Sequence, residues 1–217
     1  MANKSMNIIL MADIEKSGTK NSIETMNSFK QIVENSNAFF KRNIISPLTI
    51  TLGDEFQGII NNIESAVKII YYIDEFIIKN NINFKLRYVI NEGEIDTEIN
   101  TIISYEMLGQ GLTDARNQLN ELKKTKYKYY ISLSNKIKSK IINESFVIYQ
   151  ETIENWNIKK DYELLSKFIE LEDYKKVALA TNKDKSQIWK RNKTLNFDSY
   201  FAIKRIILLT VNLKIKK

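Results

Sequence analysis

A chain of 217 residues, 43% of them hydrophobic, can bury a core as one large domain or two small ones. It holds no Cys and no His, which excludes thiol catalysis, disulfides, Cys/His zinc sites and an imidazole base; carboxylates, Lys, Arg, hydroxyls and a hard oxygen-bound cation are left. Residues 1–120 carry 11 basic and 15 acidic side chains and residues 121–217 carry 22 and 11, so the second half either faces an anionic partner or reflects a composition rich in Lys, Asn and Ile.

No apolar run approaches the ~18 residues of a membrane helix and no secretory signal opens the chain, so a cytoplasmic protein without membrane contact is expected. Residues 7–14 are a near-continuous apolar run ending at Asp13 and Ile14, the pattern of a buried central strand. After a polar loop over 15–21, Ile23, Met26, Phe29, Ile32, Val33, Phe39 and Phe40 recur at helical spacing as far as about Lys41. Pro47 opens a strand where no ladder donor is needed. Two short strands, 48–52 and 56–60, then meet at a Gly53-Asp54 turn, so Asp54 and Glu55 project from a hairpin tip, as functional acids or as a solvated turn. Ile63, Ala66, Val67, Ile70, Ile73, Ile77 and Ile78 mark a second amphipathic helix. Residues 84–90 alternate as a strand, ended by the turn-prone Asn91-Glu92-Gly93-Glu94.

Strand, helix, hairpin, helix, strand is the order of a ferredoxin-like α+β domain, an antiparallel sheet with helices on one face. Right-handed crossovers put the first and third strands side by side, so Asp13 and Asp54, 41 positions apart, should meet at one sheet edge. Two carboxylates there repel unless one is protonated or a cation lies between them. Mg²⁺ or Mn²⁺ is the economical answer, with Asp13 and Asp54 as ligands and Glu55 or Glu94 as a third ligand or merely exposed. Further on, Gly109 and Gly111 precede a helix whose free N–H groups would attract phosphate, while Thr113 is a phosphate contact or a plain cap. Gly53, Lys16 and Ser17 complete the candidate nucleotide contacts.

These residues resemble the palm of class III nucleotidyl cyclases, diguanylate cyclases and CRISPR-type polymerase domains. The run Thr51-Leu52-Gly53-Asp54-Glu55-Phe56-Gln57-Gly58, with Asp13-Ile14, Lys16-Ser17, Gly93-Glu94-Ile95-Asp96-Thr97 and Ala115-Arg116, is similar to the SatD family over roughly residues 7–125. The cyclase resemblance implies Asp13 and Asp54 as catalytic metal ligands, Arg116 as the arginine that meets transition-state charge, a nucleoside triphosphate as ligand, and a site that can form across a homodimer. The chain departs from that pattern at Leu112, where cyclases carry Asn, at Ile50, where they carry a purine-selecting Lys, and at Leu52, where diguanylate cyclases carry Gly. Metal and phosphate handling carry over in outline; base recognition does not.

Residues 127–133 form a further strand at the sheet edge, and the basic, poorly periodic stretch 135–160 is expected to be a linker or extension between a palm domain, 1–134, and a small all-α region, 161–217. There Val177-Ala178, Asn182 and Ile188 fit the skeleton of a helix-turn-helix, whose second helix would offer Ser186, Gln187, Lys190, Arg191 and Lys193 to duplex DNA. Phe201, Ile203, Ile206, Ile207, Leu208 and Val211 supply a closing helix. The chain thus reads as a Mg²⁺-dependent nucleotide-binding palm, forming a phosphodiester or cyclic product, coupled to a DNA-binding helix pair. The alternative is a regulator or interaction protein built on a degenerate palm that performs no chemistry.

Overall fold

The computed structural model describes residues 6–15, 22–51 and 53–214. Alternation along β1 (Met6–Ile14) decides the layering. Leu10 and Ala12 pack with Phe29, Val67 and Ile70 on one face, and Ile9 and Met11 pack with Ala115 and Leu119 on the other. With both faces covered, the strand has to be apolar nearly throughout.

From β1 the chain continues through α1 (Ser22–Phe39), β2 (Ile44–Ile50), β3 (Glu55–Ile60), α2 (Ile63–Lys79) and β4 (Leu86–Glu94), the ferredoxin-like order expected from the sequence. The sheet runs β2-β3-β1-β4-β5, with β1 antiparallel to both β3 and β4, so the first and third strands are neighbours. β5 (Tyr129–Ser132) adds to the edge parallel to β4. α3 (Gln110–Leu122) lies across the face opposite α1 and α2.

Two boundaries differ from expectation. β4 runs through the expected turn at residues 91–94, because Asn91 pairs with Ile9, Gly93 with Asn7 and Glu94 with Met6. The central ladder outweighs the turn propensity of those residues. Pro47 lies inside β2, an edge strand, within the second of two register shifts against β3, where its missing N–H breaks no ladder bond.

Residues 135–160 hold α4 (Lys136–Glu154) and the start of α5 (Ile158–Leu171); α6 (Tyr174–Thr181), α7 (Lys185–Thr194) and α8 (Phe197–Asn212) follow. The inward face of α4 mixes Ile142, Phe146 and Tyr149 with buried Ser139, Ser145, Gln150 and Thr152, which blurs its apolar period in the sequence. α5 packs on α2 and α8 on α4, and one apolar cluster runs from the sheet through Phe146 and Tyr149 to Phe168, Phe197 and Tyr200. At its centre the buried Asp74 carboxylate of α2 accepts hydrogen bonds from Tyr88 (2.8 Å), Tyr129 (2.8 Å) and Tyr149 (3.3 Å), joining α2, β4, β5 and α4. On the outer edge of β5, Asn143 of α4 accepts from the Ile131 N–H and donates to the Ile131 carbonyl, both at 2.8 Å. Among the described residues no helix is long and apolar enough to cross a membrane.

Candidate functional site

The strand register builds the site. Asp13, near the end of β1, stands opposite Glu55 of β3 on one side and Arg87 of β4 on the other. Residues directly opposite in antiparallel strands share a face, and here it is the face of Ile9 and Met11, beneath α3. Both acidic side chains are almost wholly buried, 4% exposed for Asp13 and 6% for Glu55. α3 passes above them and supplies two cations seven residues apart, two helical turns along one side. Arg116 pairs with Glu55 Oε2, and the Lys123 Nζ lies 2.7 Å from Glu55 Oε1 and 3.5 Å from Asp13 Oδ2. From β4, Arg87 reaches Asp13 Oδ2 at 3.2 Å.

The electrostatics follow. Burial pushes the Asp13 carboxyl above its ordinary value; the Arg87 and Lys123 charges pull it back, and the neighbouring Asp54 carboxylate adds to the push. Asp13 Oδ1 is buried and accepts no hydrogen bond from the described residues. The repulsion expected between sheet-edge acids is therefore met in part from within, by Arg87, Lys123 and Arg116.

Asp54 lies at the hairpin turn, where Gly53 takes a left-handed conformation (φ 81°) and the Ile14 N–H donates to the Asp54 carbonyl at 2.9 Å. The turn so joins the end of β1, but it is Glu55, one residue on, that faces Asp13 across the ladder. Gly109, Gly111 and Thr113 stand elsewhere. The α3 N-terminus lies over Gly93, which pairs with Asn7, six residues or roughly 20 Å of strand from Asp13. A Cβ on Gly111 would come within 2.8 Å of Gly93 backbone atoms, so these glycines let helix and strand touch. The site gathers the middle and C-terminal end of α3, not its N-terminus. Lys16 and Ser17 lie outside the described residues.

In the C-terminal helices Ser186, Gln187 and Lys190 are exposed on α7, whereas Arg191 pairs with Asp161 at 2.8 Å and Lys193 with Asp198. Sequence reasoning missed Arg87 and Lys123. The first was readable from the strand order, which sets it beside Asp13; the second from its spacing of seven after Arg116.

Beside Arg116, a cavity of about 220 Å³ opens between Thr51 and Gln57 of the hairpin and Tyr105, Glu106 and Met107 of the loop before α3. Gln57 and Thr49 both bond the backbone of Ser104 and hold that loop down. A larger cleft of about 830 Å³, lined by Glu15, Lys85, Lys128 and Glu154 among others, opens beyond the end of β1.

Among the described residues no three acids gather into a metal cage. Two buried carboxylates with one unpartnered oxygen nevertheless suit a hard cation that brings phosphate and water oxygens of its own, as Mg²⁺ commonly does.

The SatD family model matches residues 7–208. The chain belongs to the SatD family. No curated protein matches this SatD-family chain. Among solved structures it is similar to a bacterial light-regulated adenylyl cyclase (11% identity over 58% of this chain and 75% of that one, TM-score 0.45). It is also similar to the catalytic core of a rhodopsin-guanylyl cyclase with converted specificity (15%, 54% and 72%, TM-score 0.41). A third likeness is to the monomeric guanylyl cyclase domain of a rhodopsin fusion protein from the aquatic fungus Blastocladiella emersonii (14%, 59% and 81%, TM-score 0.40).

Proposed function

We propose that this SatD-family chain binds a nucleoside triphosphate at the β1–β3 edge and transfers or cyclises its nucleotidyl group. One observation carries the reading: two buried carboxylates and three cations converge on one face at the end of the central strands. Arg116 and Lys123, on the helix above, hold the phosphates, and Arg87 fixes Asp13 from the neighbouring strand. Asp13 and Glu55 would hold Mg²⁺ or Mn²⁺, with Asp54 at the adjoining turn, and the metal when bound neutralises phosphate charge. In the transfer, a hydroxyl oxygen forms a bond to the α-phosphorus while the bond to the bridging oxygen breaks. Pyrophosphate leaves, the proton passes to water, and Arg116 meets the charge that develops. The cleft at Tyr105 and Gln57 is the place for the nucleoside, with none of the purine-reading residues of the cyclases.

Calorimetric titration with non-hydrolysable analogues of the four triphosphates in Mg²⁺, followed by a pyrophosphate assay with the natural nucleotides, tests this. Arg116→Ala should weaken binding at least tenfold, about 1.4 kcal/mol. Absence of binding by every analogue would overturn the reading. Binding without pyrophosphate would identify the non-enzymatic scaffold instead.

A second reading adds duplex DNA as a partner of α6 and α7. It is supported by a left-handed Asn182 (φ 51°) between the helices, buried Ala178 and Ile188, and exposed Ser186, Gln187 and Lys190. Lys190→Ala should lower the slope of log affinity against log salt by about 0.9 in fluorescence anisotropy. An unchanged slope would take this face away from DNA.

A further inference from the structure

The ammonium of Lys123 is a resident cation: it contacts both Glu55, at 2.7 Å, and Asp13, at 3.5 Å. We propose that Lys123 is a built-in counter-ion that keeps bare divalent cations out of the Asp13–Glu55 position and gives it up when a cation arrives together with a triphosphate. The identity of that anion rests on the nucleotide-binding reading above; the exclusion of bare metal does not.

Three features support the assignment. The acids cannot leave: their side chains are 4% and 6% exposed and sit on central strands, and Asp13 Oδ1 has no hydrogen-bond donor among the described residues. Lys123 can leave. It lies at the C-cap of α3, its side chain is 34% exposed, and its four-carbon stem is flexible where the planar guanidinium of Arg87, 13% exposed, is not. Its resting place is also favourable, because the free carbonyls at a helix C-terminus attract positive charge.

Charge then decides what can enter. Asp13 and Glu55 already face Arg87, Arg116 and Lys123, so that even with the Asp54 carboxylate beside Asp13 the acids are matched by resident cations. A bare dication would have to displace an ammonium ion into solvent and would meet two guanidinium groups, so it binds weakly. A triphosphate changes the balance. Its oxygens accept the displaced Lys123 and draw Arg116 away from Glu55, so both acids are released as the metal arrives. Metal and triphosphate therefore each raise the affinity for the other by one factor, as linkage requires.

Mn²⁺ is the probe, its free ion counted by electron paramagnetic resonance. With Mn²⁺ alone, Lys123→Met and Lys123→Gln should each bind at least tenfold more tightly than the wild type. Adding Asp13→Asn to either variant should remove that gain. The two substitutions at a one-third exposed position, checked by their melting temperatures, guard against a folding artefact. If both variants bind Mn²⁺ no more tightly than the wild type, or if the gain survives Asp13→Asn, Lys123 is not the counter-ion. A non-hydrolysable triphosphate, added to the wild type in a separate arm, should tighten Mn²⁺ at least tenfold. If it fails to bind at all, the nucleotide reading falls while the metal-only comparison still decides the role of Lys123.

Discussion

Asp74 is a buried carboxyl, and its titration should be visible in the stability of the whole chain. Burial pushes it up to about 6 from an ordinary 3.8, against the pull of the hydroxyls of Tyr129, Tyr88 and Tyr149. The folded chain therefore holds a proton through a window, from about pH 4 to about pH 6, in which the unfolded chain has released it. A raised carboxyl pKa makes stability fall as pH rises through that window, by roughly 3 kcal/mol in all, with no further change above it from this group. Asp74→Asn keeps a polar side chain among the three tyrosines and removes the titration. Urea unfolding at steps from pH 4 to pH 7 should show the wild type losing up to about 3 kcal/mol relative to the variant. Parallel curves would mean that Asp74 titrates at its ordinary value.

Among the elements, α3 is seated by backbone contact with a strand. Its first turn lies directly on β4, and a Cβ at Gly111 would stand 2.7–2.8 Å from the Gly93 carbonyl carbon, the Gly93 Cα and the Glu94 oxygen, all backbone atoms that cannot rotate aside. Gly111→Ala should lift the helix and cost about 1–3 kcal/mol despite the better helix propensity of Ala, measurable by chemical denaturation. An increase in stability would show that the contact has slack. Because Arg116 and Lys123 ride on the same helix, a change far from the acids would also move both cations. The sequence made some of this legible. The unbroken apolar run of β1, the Gly53 turn and the regular period of α2 are local patterns, and they led to the strand order that brings Asp13 to the hairpin tip. What stayed hidden depends on pairing across elements. Arg87 reads as the polar half of an alternating strand until the register sets it beside Asp13. The serines and Gln150 of α4 read as surface until β5 and α8 cover them. Gly109 and Gly111 signal close backbone approach, but not whether strand or phosphate does the approaching.

At the scale of the molecule, a single apolar cluster joins the sheet to the C-terminal helices, so the palm does not end cleanly where its last strand does. A chain cut after residue 134 would keep every strand of the sheet but lose Phe146 and Tyr149 from the cluster and Asn143 from the rim of β5. Light scattering should find such a fragment in growing assemblies while the full chain stays a discrete species; a discrete fragment would show that the rim is protected by other means. The Asn143 amide matters here because it imitates one residue of a neighbouring strand, offering an acceptor and a donor to Ile131 at the spacing a backbone would use. On the ribosome the sheet emerges first and this plug later, so for part of synthesis the rim of β5 is a template for edge-to-edge growth. The helix that closes it acts as the protein's own chaperone, made one step after the strand that needs it.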